Sequence, residues 1–254
     1  MSVYRFPEGA ALVFGGSGGL GGGVVRLLAQ SGTNVAFTYH KNRDAAEENL
    51  KAVEDAGQQG HIGSVDLLDL PAVEAFAGEV KEKFGRIHSV IFATGPFLHI
   101  LPIMDAEPQV FYDTLDADVK GFYHVLKAVV PHLRDGGGGS ITALTTAAIP
   151  RYIATDGLSS IPKAGVQHLC TAIAREEGAN NIRANCVAVG LIAIGLSQEI
   201  DSPPGGILDQ WTRQVALGRP GAPEELFDTV VFLASENAGY ISGQSVPVDG
   251  GYSA

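Results

Sequence analysis

The stretch from Ala10 to Ala29 constrains this chain more than any other. Ala10 to Phe14 is a short apolar run of the length expected for a buried strand. Seven glycines follow between Gly15 and Gly23, interrupted only by Ser17 and Leu20. The apolar spacing then becomes helical, through Leu20, Val24, Leu27 and Leu28. Glycines at such a junction allow a tight turn and let backbone N–H groups approach a diphosphate, and the helix N-terminus adds a partial positive charge. Two registers fit: G-x-G-x-x-G at Gly16, Gly18 and Gly21, and G-x-x-x-G-x-G at Gly15, Gly19 and Gly21. Placed between strand and helix, the run predicts dinucleotide binding.

Alternation continues along the rest of the chain. Val35–Tyr39, His61–Val65, His88–Ala93, Ser140–Leu144, Ile182–Val189 and Gln244–Val248 read as strands. Helical patterns separate them at Asp44–Ala56, Leu70–Phe84, Pro108–Leu133, Lys163–Glu177 and Glu224–Ser235. No linker or internal repeat interrupts them. The expected fold is α/β: a single Rossmann-type, doubly wound parallel sheet with helices on both faces, spanning 1–254, with ligands at the carboxyl ends of the strands. Leu191 to Gly218 is irregular, rich in Pro and Gly, and holds the single tryptophan, Trp211. It is expected to lie over the site as a lid.

Composition narrows the function classes. With 254 residues, 45% of them hydrophobic, one large core can be built, and the net charge of −11 argues against a nucleic-acid or anionic-membrane surface. Cys170 and Cys186 have no metal-like spacing and form no disulfide framework, so a reducing compartment, the cytoplasm, is expected. Met1 to Gly9 lacks the pattern of a signal peptide, and no apolar stretch is long enough to span a bilayer. His99, His124, His132 and His168 show no ligand spacing, so no metal site is expected.

The second strand bears on which dinucleotide would bind. An acidic residue at its end selects NAD. Here the chain reads Thr38-Tyr-His-Lys-Asn-Arg43, with no carboxylate before Asp44. His40, Lys41 and Arg43 could hold a 2′-phosphate, which favours NADP(H); a solvated basic loop is the alternative.

With these elements located, the whole chain resembles the short-chain dehydrogenase/reductase family. Asp66-Leu67, Ile182-Arg-Ala-Asn-Cys-Val-Ala-Val-Gly190, Arg219-Pro-Gly-Ala-Pro-Glu-Glu-Leu226 and Tyr240-Ile-Ser-Gly-Gln-Ser-Val-Pro-Val-Asp-Gly-Gly251 carry the likeness beyond the glycines. The resemblance implies hydride transfer between a nicotinamide and a carbonyl or alcohol. It places the coenzyme along Gly15, Ser17, Gly18, Gly19, Leu20 and Gly21, along His40 and Lys41, and beside the adenine at Asp66 and Leu67. Ala93-Thr94-Gly95 stands for the family's N-N-A-G turn, and Gly190 and Ile192 follow the sixth strand. The family's carboxamide-binding Thr is replaced by Ile194.

The proton-transfer residues depart from the family's pattern. In its Y-x-x-x-K motif Lys163 is retained, for ribose binding, but the Tyr position holds Ser159. The family's Ser falls on Thr146 and its helix Asn on Asp118. An unperturbed serine hydroxyl is a far weaker acid than a phenol of pKa about 10, and a nearby lysine does not close that gap. Ser159 can still hydrogen-bond a substrate oxygen.

Ser159-x-x-x-Lys163 followed by Ala164-Gly-Val166 is similar to the 2,4-dienoyl-CoA reductase branch, which recruits a Tyr from the preceding loop; Tyr152 lies in that loop. The resemblance thus implies an NADP(H)-dependent oxidoreductase acting on an apolar carbonyl or enoyl compound. A lyase, cyclase or isomerase using Asp118 and Lys163 is the second reading, and a catalytically silent nucleotide-binding protein the third. Phe97, Leu98, Ile149, Tyr152, Leu191 and Trp211 suggest an apolar pocket, and core packing explains them equally well. The resemblance also implies a homotetramer or homodimer, packed through 108–133, the helix from Lys163 and the C-terminal strand.

Overall fold

In the computed structural model, residues 3–95, 99–194 and 206–254 are described. Phe97, Leu98 and residues 195–205 of the expected lid lie outside them. Seven strands, β1 (Ala10–Phe14), β2 (Asn34–Tyr39), β3 (Gly60–Ser64), β4 (Ile87–Phe92), β5 (Gly139–Thr146), β6 (Ile182–Val189) and β7 (Ser245–Val248), form one sheet in the order β3-β2-β1-β4-β5-β6-β7. Every pairing is parallel. The strand order reverses between β1 and β4, and the crevice at the carboxyl ends there is where such sheets bind ligands.

Helices cover both faces, because the central strands are apolar on both sides. On β1, Ala10, Leu12 and Phe14 point to one face and Ala11 and Val13 to the other. The first set packs with Phe92 and with helices α3 (Leu70–Phe84), α5 (Gly121–Asp135) and α6 (Gly157–Glu176), through Phe76, Phe122 and Val166. The second meets Phe37 and helices α1 (Gly19–Gln30) and α8 (Pro223–Ala234), through Val24, Leu28 and Phe227. Each such large buried side chain contributes about 1.5–3 kcal/mol. The remaining helices are α2 (Arg43–Asp55), α4 (Pro108–Leu115) and the short α7 (Ile207–Thr212). Among the described residues, no helix is long and apolar enough to cross a membrane.

Two differences from the sequence expectations bear on the site. The stretch 108–133 is not one regular helix: α4 and α5 are joined by a π-turn over Asp116–Lys120. The wider turn is a recurrent feature of functional sites, and here it carries the fully buried Asp118. Helix α6 starts at Gly157, ahead of the expected Lys163, and runs through Pro162. Proline usually marks a helix boundary, but packing overrides that preference here: Leu158, Pro162 and Val166 are buried along one side of α6. As a result Ser159 and Lys163 sit one turn apart on the same helix face.

Candidate active site at the carboxyl ends of the strands

The glycine loop is fastened to β2 by backbone donors. The Gly15 N–H donates to Thr38 Oγ1 at 3.1 Å and the Gly16 N–H to the Thr38 carbonyl at 2.9 Å. Asn49 of α2 donates to the Gly16 carbonyl at 2.9 Å from below. Gly15 has φ +91°, a conformation that favours glycine, and a Cβ on Gly21 would stand 2.2 Å from the Gly15 carbonyl oxygen. Gly15 is thus required by its backbone conformation and Gly21 by close approach. No side chain caps the N-terminus of α1, so its first N–H groups face the groove. These features fit a diphosphate.

The groove opens into a cavity of about 870 Å³. Gly15, Ser17, Gly18, Gly19, Leu20 and Gly21 line one end, with His40, Asp66 and Leu67 beyond them. Ala93, Thr94 and Gly95 follow β4, and Gly190 and Ile192 follow β6. Gly190 is needed for close approach, since a Cβ there would lie 2.5 Å from the Asp249 Cα. Thr146, Ser159, Lys163 and Asp118 also line the cavity. Its far wall is apolar, formed by Ile153, Leu191, Ile194, Trp211 and Val215 with Tyr252.

Lys163 is held from two sides. Its Nζ donates to the Thr94 carbonyl at 2.7 Å and to Asp118 Oδ1 at 2.8 Å, and it lies 5.5 Å from the centroid of the Phe92 ring. Burial pushes the Asp118 carboxyl above its ordinary value, opposed by the Lys163 charge and hydrogen bond. Asp118 Oδ2 and Thr94 Oγ1 are buried without a partner among the described residues. Both could accept a hydrogen bond from an added donor. Thr146 Oγ1 accepts the Ala148 N–H at 3.1 Å, which caps the turn after β5, and the same hydroxyl keeps its hydrogen to donate.

Several residues singled out in the sequence are not brought to the cavity wall. Tyr152 is 55% exposed and its hydroxyl lies over the start of α6, 3.2 Å from where a Cβ on Gly157 would stand. The local chain folds outward there because Ile153 takes the inward position. Lys41 is exposed and outside the lining, and Arg43 is paired with Glu47 at 2.7 Å on α2. Ile149 is likewise not among the lining residues. Sequence reasoning overlooked Asp156, which is 8% exposed and lines the cavity beside Ser159. An aspartate just before a helix reads as a cap, and no periodicity distinguishes it from one. The described residues contain no cluster of metal-ligating side chains.

Comparison with known proteins agrees with this geometry. A family profile described as enoyl-(acyl carrier protein) reductase matches residues 15–253. A 3-oxoacyl-[acyl-carrier-protein] reductase FabG of Staphylococcus aureus is 30% identical over 249 residues, covering 95% of this chain and 97% of that protein. The FabG of Chlamydia muridarum is 29% identical over 243 residues, with 95% and 96% covered. A short-chain dehydrogenase/reductase structure from Mycobacterium ulcerans superposes with a TM-score of 0.92 at 28% identity, covering 98% of this chain and 91% of that one. Glycine cradle, sheet order and full-length similarity together show that the chain belongs to the short-chain dehydrogenase/reductase family of oxidoreductases.

Proposed function

We propose that the protein is an NADP(H)-dependent reductase of an apolar carbonyl or enoyl compound. The observation that carries this reading is one continuous cavity. It runs from the glycine loop, past Lys163 and Ser159, to an apolar end walled by Ile153, Leu191, Ile194, Trp211 and Val215. When bound, a reduced nicotinamide supplies hydride to the substrate.

The chain's own groups then divide the remaining work. Gly15, Ser17, Gly18, Gly19, Leu20 and Gly21, with the first N–H groups of α1, hold the diphosphate. His40 faces the 2′-phosphate and Lys41 reaches it from the exposed loop outside the cavity wall, Asp66 and Leu67 face the adenine, and Lys163 a ribose. Ala93 to Gly95, Gly190 and Ile192 border the nicotinamide end. Ser159 and Thr146 hydrogen-bond the substrate oxygen, stabilising negative charge as it develops there. The apolar wall excludes water from that oxygen, which strengthens both bonds.

Asp118 changes what Lys163 can do. In the family pattern a lysine cation depresses a tyrosine pKa. Here there is no phenol at 159, and the Lys163 charge is matched by a carboxylate at 2.8 Å. The pair is left to orient and bind, and the proton must come from elsewhere.

Exposed Tyr112 on α4, Tyr123 on α5 and Ile161 on α6 supply an apolar surface for a homodimer or homotetramer, and the reading places the protein in the cytoplasm. Light scattering at micromolar concentration tests the assembly; a monomer contradicts it. The activity is tested by titrating the protein with NADPH and NADH by fluorescence, then adding 2-cyclohexenone, a decanoyl thioester enone and 9,10-phenanthrenequinone. Tighter NADPH binding with oxidation on one of these supports the proposal. Binding with no oxidation of any of them overturns it in favour of a silent nucleotide-binding protein, and product without net NADPH consumption in favour of a non-redox enzyme.

A further inference from the structure

Asp156 stands at the N-cap of α6 and faces the substrate end of the cavity. Aspartate at an N-cap ordinarily accepts a backbone N–H of the first turn, but the Asp156 side chain makes no such bond. Its backbone carbonyl accepts instead, from the Ser159 and Ser160 N–H groups at 3.1 and 2.9 Å and from the Ser160 hydroxyl at 2.9 Å. The carboxyl is left to the cavity, whose wall it shares with Ser159 three residues on. The preceding Thr155 has φ +73°, a costly conformation for a β-branched residue, held by its carbonyl accepting the Leu101 N–H at 3.2 Å. Strain of this kind concentrates at functional sites.

We infer that Asp156 is the proton store of the reduction and that Ser159 hands its proton to the substrate oxygen. This rests on the reductase reading above. A bound reduced nicotinamide would supply hydride, with its two electrons, to the substrate carbon; the π bond would break and the carbonyl oxygen would be left with negative charge. That oxygen takes the Ser159 hydroxyl proton, and the Ser159 oxygen takes the proton of the Asp156 carboxyl. Asp156 is left as a carboxylate and is reprotonated from solvent once product leaves. Each O–H bond broken is matched by one formed, and the oxidised coenzyme departs.

Burial pushes the Asp156 carboxyl up to about 7, against a hydrogen bond from Ser159 that lowers it, so it holds a transferable proton near neutral pH. Its surroundings carry charge of both signs. Tyr252, from the C-terminal turn, has its own phenol raised by burial, lowered by Arg151 and raised by Asp156 and Asp249. Lys163 lies one turn beyond Ser159 along α6, with Asp118 as its counter-ion.

The test has an arm that needs neither coenzyme nor substrate. Infrared difference spectra of the protein alone, taken over a pH range, are expected to show a protonated carboxyl band that titrates near neutrality. The band is expected to be absent in Asp156→Asn and to move to higher pH in Ser159→Ala. A midpoint in the ordinary carboxylate range, or one indifferent to Ser159→Ala, overturns the inference. In the second arm, single-turnover oxidation of NADPH by 9,10-phenanthrenequinone is followed against pH. Wild type is expected to lose rate on the alkaline side of neutrality. Asp156→Asn is expected to be about 10²–10⁴-fold slower with a flat profile and unchanged NADPH affinity. An unaltered rate and profile in Asp156→Asn overturns the relay while sparing the reductase reading. A wild-type protein that oxidises no NADPH removes the reductase reading, and the reductive role of the relay with it, even where the carboxyl titrates as expected.

Discussion

Lys163 and Asp118 form an ion pair of 2.8 Å in which the carboxylate is fully buried and the ammonium is 12% exposed. The two come from α6 and from the π-turn between α4 and α5, so the pair ties these elements together. Removing one partner of such a pair leaves an uncompensated buried charge, at a cost of about 3–5 kcal/mol, while removing both costs less. Asp118→Ala and Lys163→Ala are each expected to destabilise the protein by that order, and the double variant by clearly less than their sum. Urea unfolding of the four proteins checks this, and simple additivity would show that the pair is not coupled.

The glycine loop separates packing from binding. A Cβ on Gly21 would strike the Gly15 carbonyl at 2.2 Å, whereas one on Gly18 would meet that oxygen at 3.6 Å, an ordinary contact. Gly18→Ala, at the N-cap of α1, is therefore expected to melt within about 1 kcal/mol of wild type. It should nonetheless bind NADPH at least tenfold more weakly, because the added methyl stands where the diphosphate must approach. Gly21→Ala is expected to lose both stability and binding. Thermal melts beside fluorescence titrations distinguish the two variants.

Coenzyme choice is expected to depend on Lys41. Arg43 is already paired with Glu47, which among the described residues leaves Lys41 as the free cation of this loop nearest His40. A charge-assisted hydrogen bond contributes about 1.5–3 kcal/mol. Lys41→Ala should weaken NADPH by roughly tenfold or more and leave NADH within about twofold. Equal losses for both coenzymes would remove the 2′-phosphate assignment.

His88 offers a stability prediction away from the site. It is 2% exposed, bonded to Thr33 Oγ1 and Ser89 Oγ at 2.9 Å each, and its pKa falls to about 3 through burial and the nearby Arg86 charge. Between about pH 6.5 and 3 the unfolded chain binds this proton and the folded one does not, so stability is present above 6.5 and lost as pH falls. At pH 5 the loss is about 2 kcal/mol relative to neutral pH. Asp156 acts in the opposite direction: its raised pKa favours the folded state at low pH and loses that contribution as pH rises through about 7. The wild-type profile alone is thus flattened. The stability difference between wild type and His88→Asn is expected to shift by about 2 kcal/mol between pH 7.5 and pH 5, measured by urea unfolding; a constant difference would show that His88 titrates normally.

Several of these residues were legible in the chain as written. Ala10–Phe14, the glycines and the helical spacing from Leu20 prescribe a strand, a turn and a helix, because apolar period and backbone freedom are local properties. The same locality makes the alternation of strands and helices readable to the last strand. Lys163 and Ser159 could be placed four positions apart from the motif, since that spacing is one helical turn. The need for glycine at 21 could not be read that way: it comes from Gly15 lying against Gly21, a contact made only once the turn is closed.

Tertiary structure also decided which acids matter. Asp118 becomes a buried partner of Lys163 because a π-turn rotates it inward, and Asp156 is released from capping because its own carbonyl takes the first-turn donors. Tyr152 turned outward while Ile153 took its place. Sequence determined the sheet, its helices and the cradle for a diphosphate, all of which follow from short-range periodicity and steric freedom. Burial and charge pairing arise between segments far apart in the chain, and so only folding settles where the proton can be held.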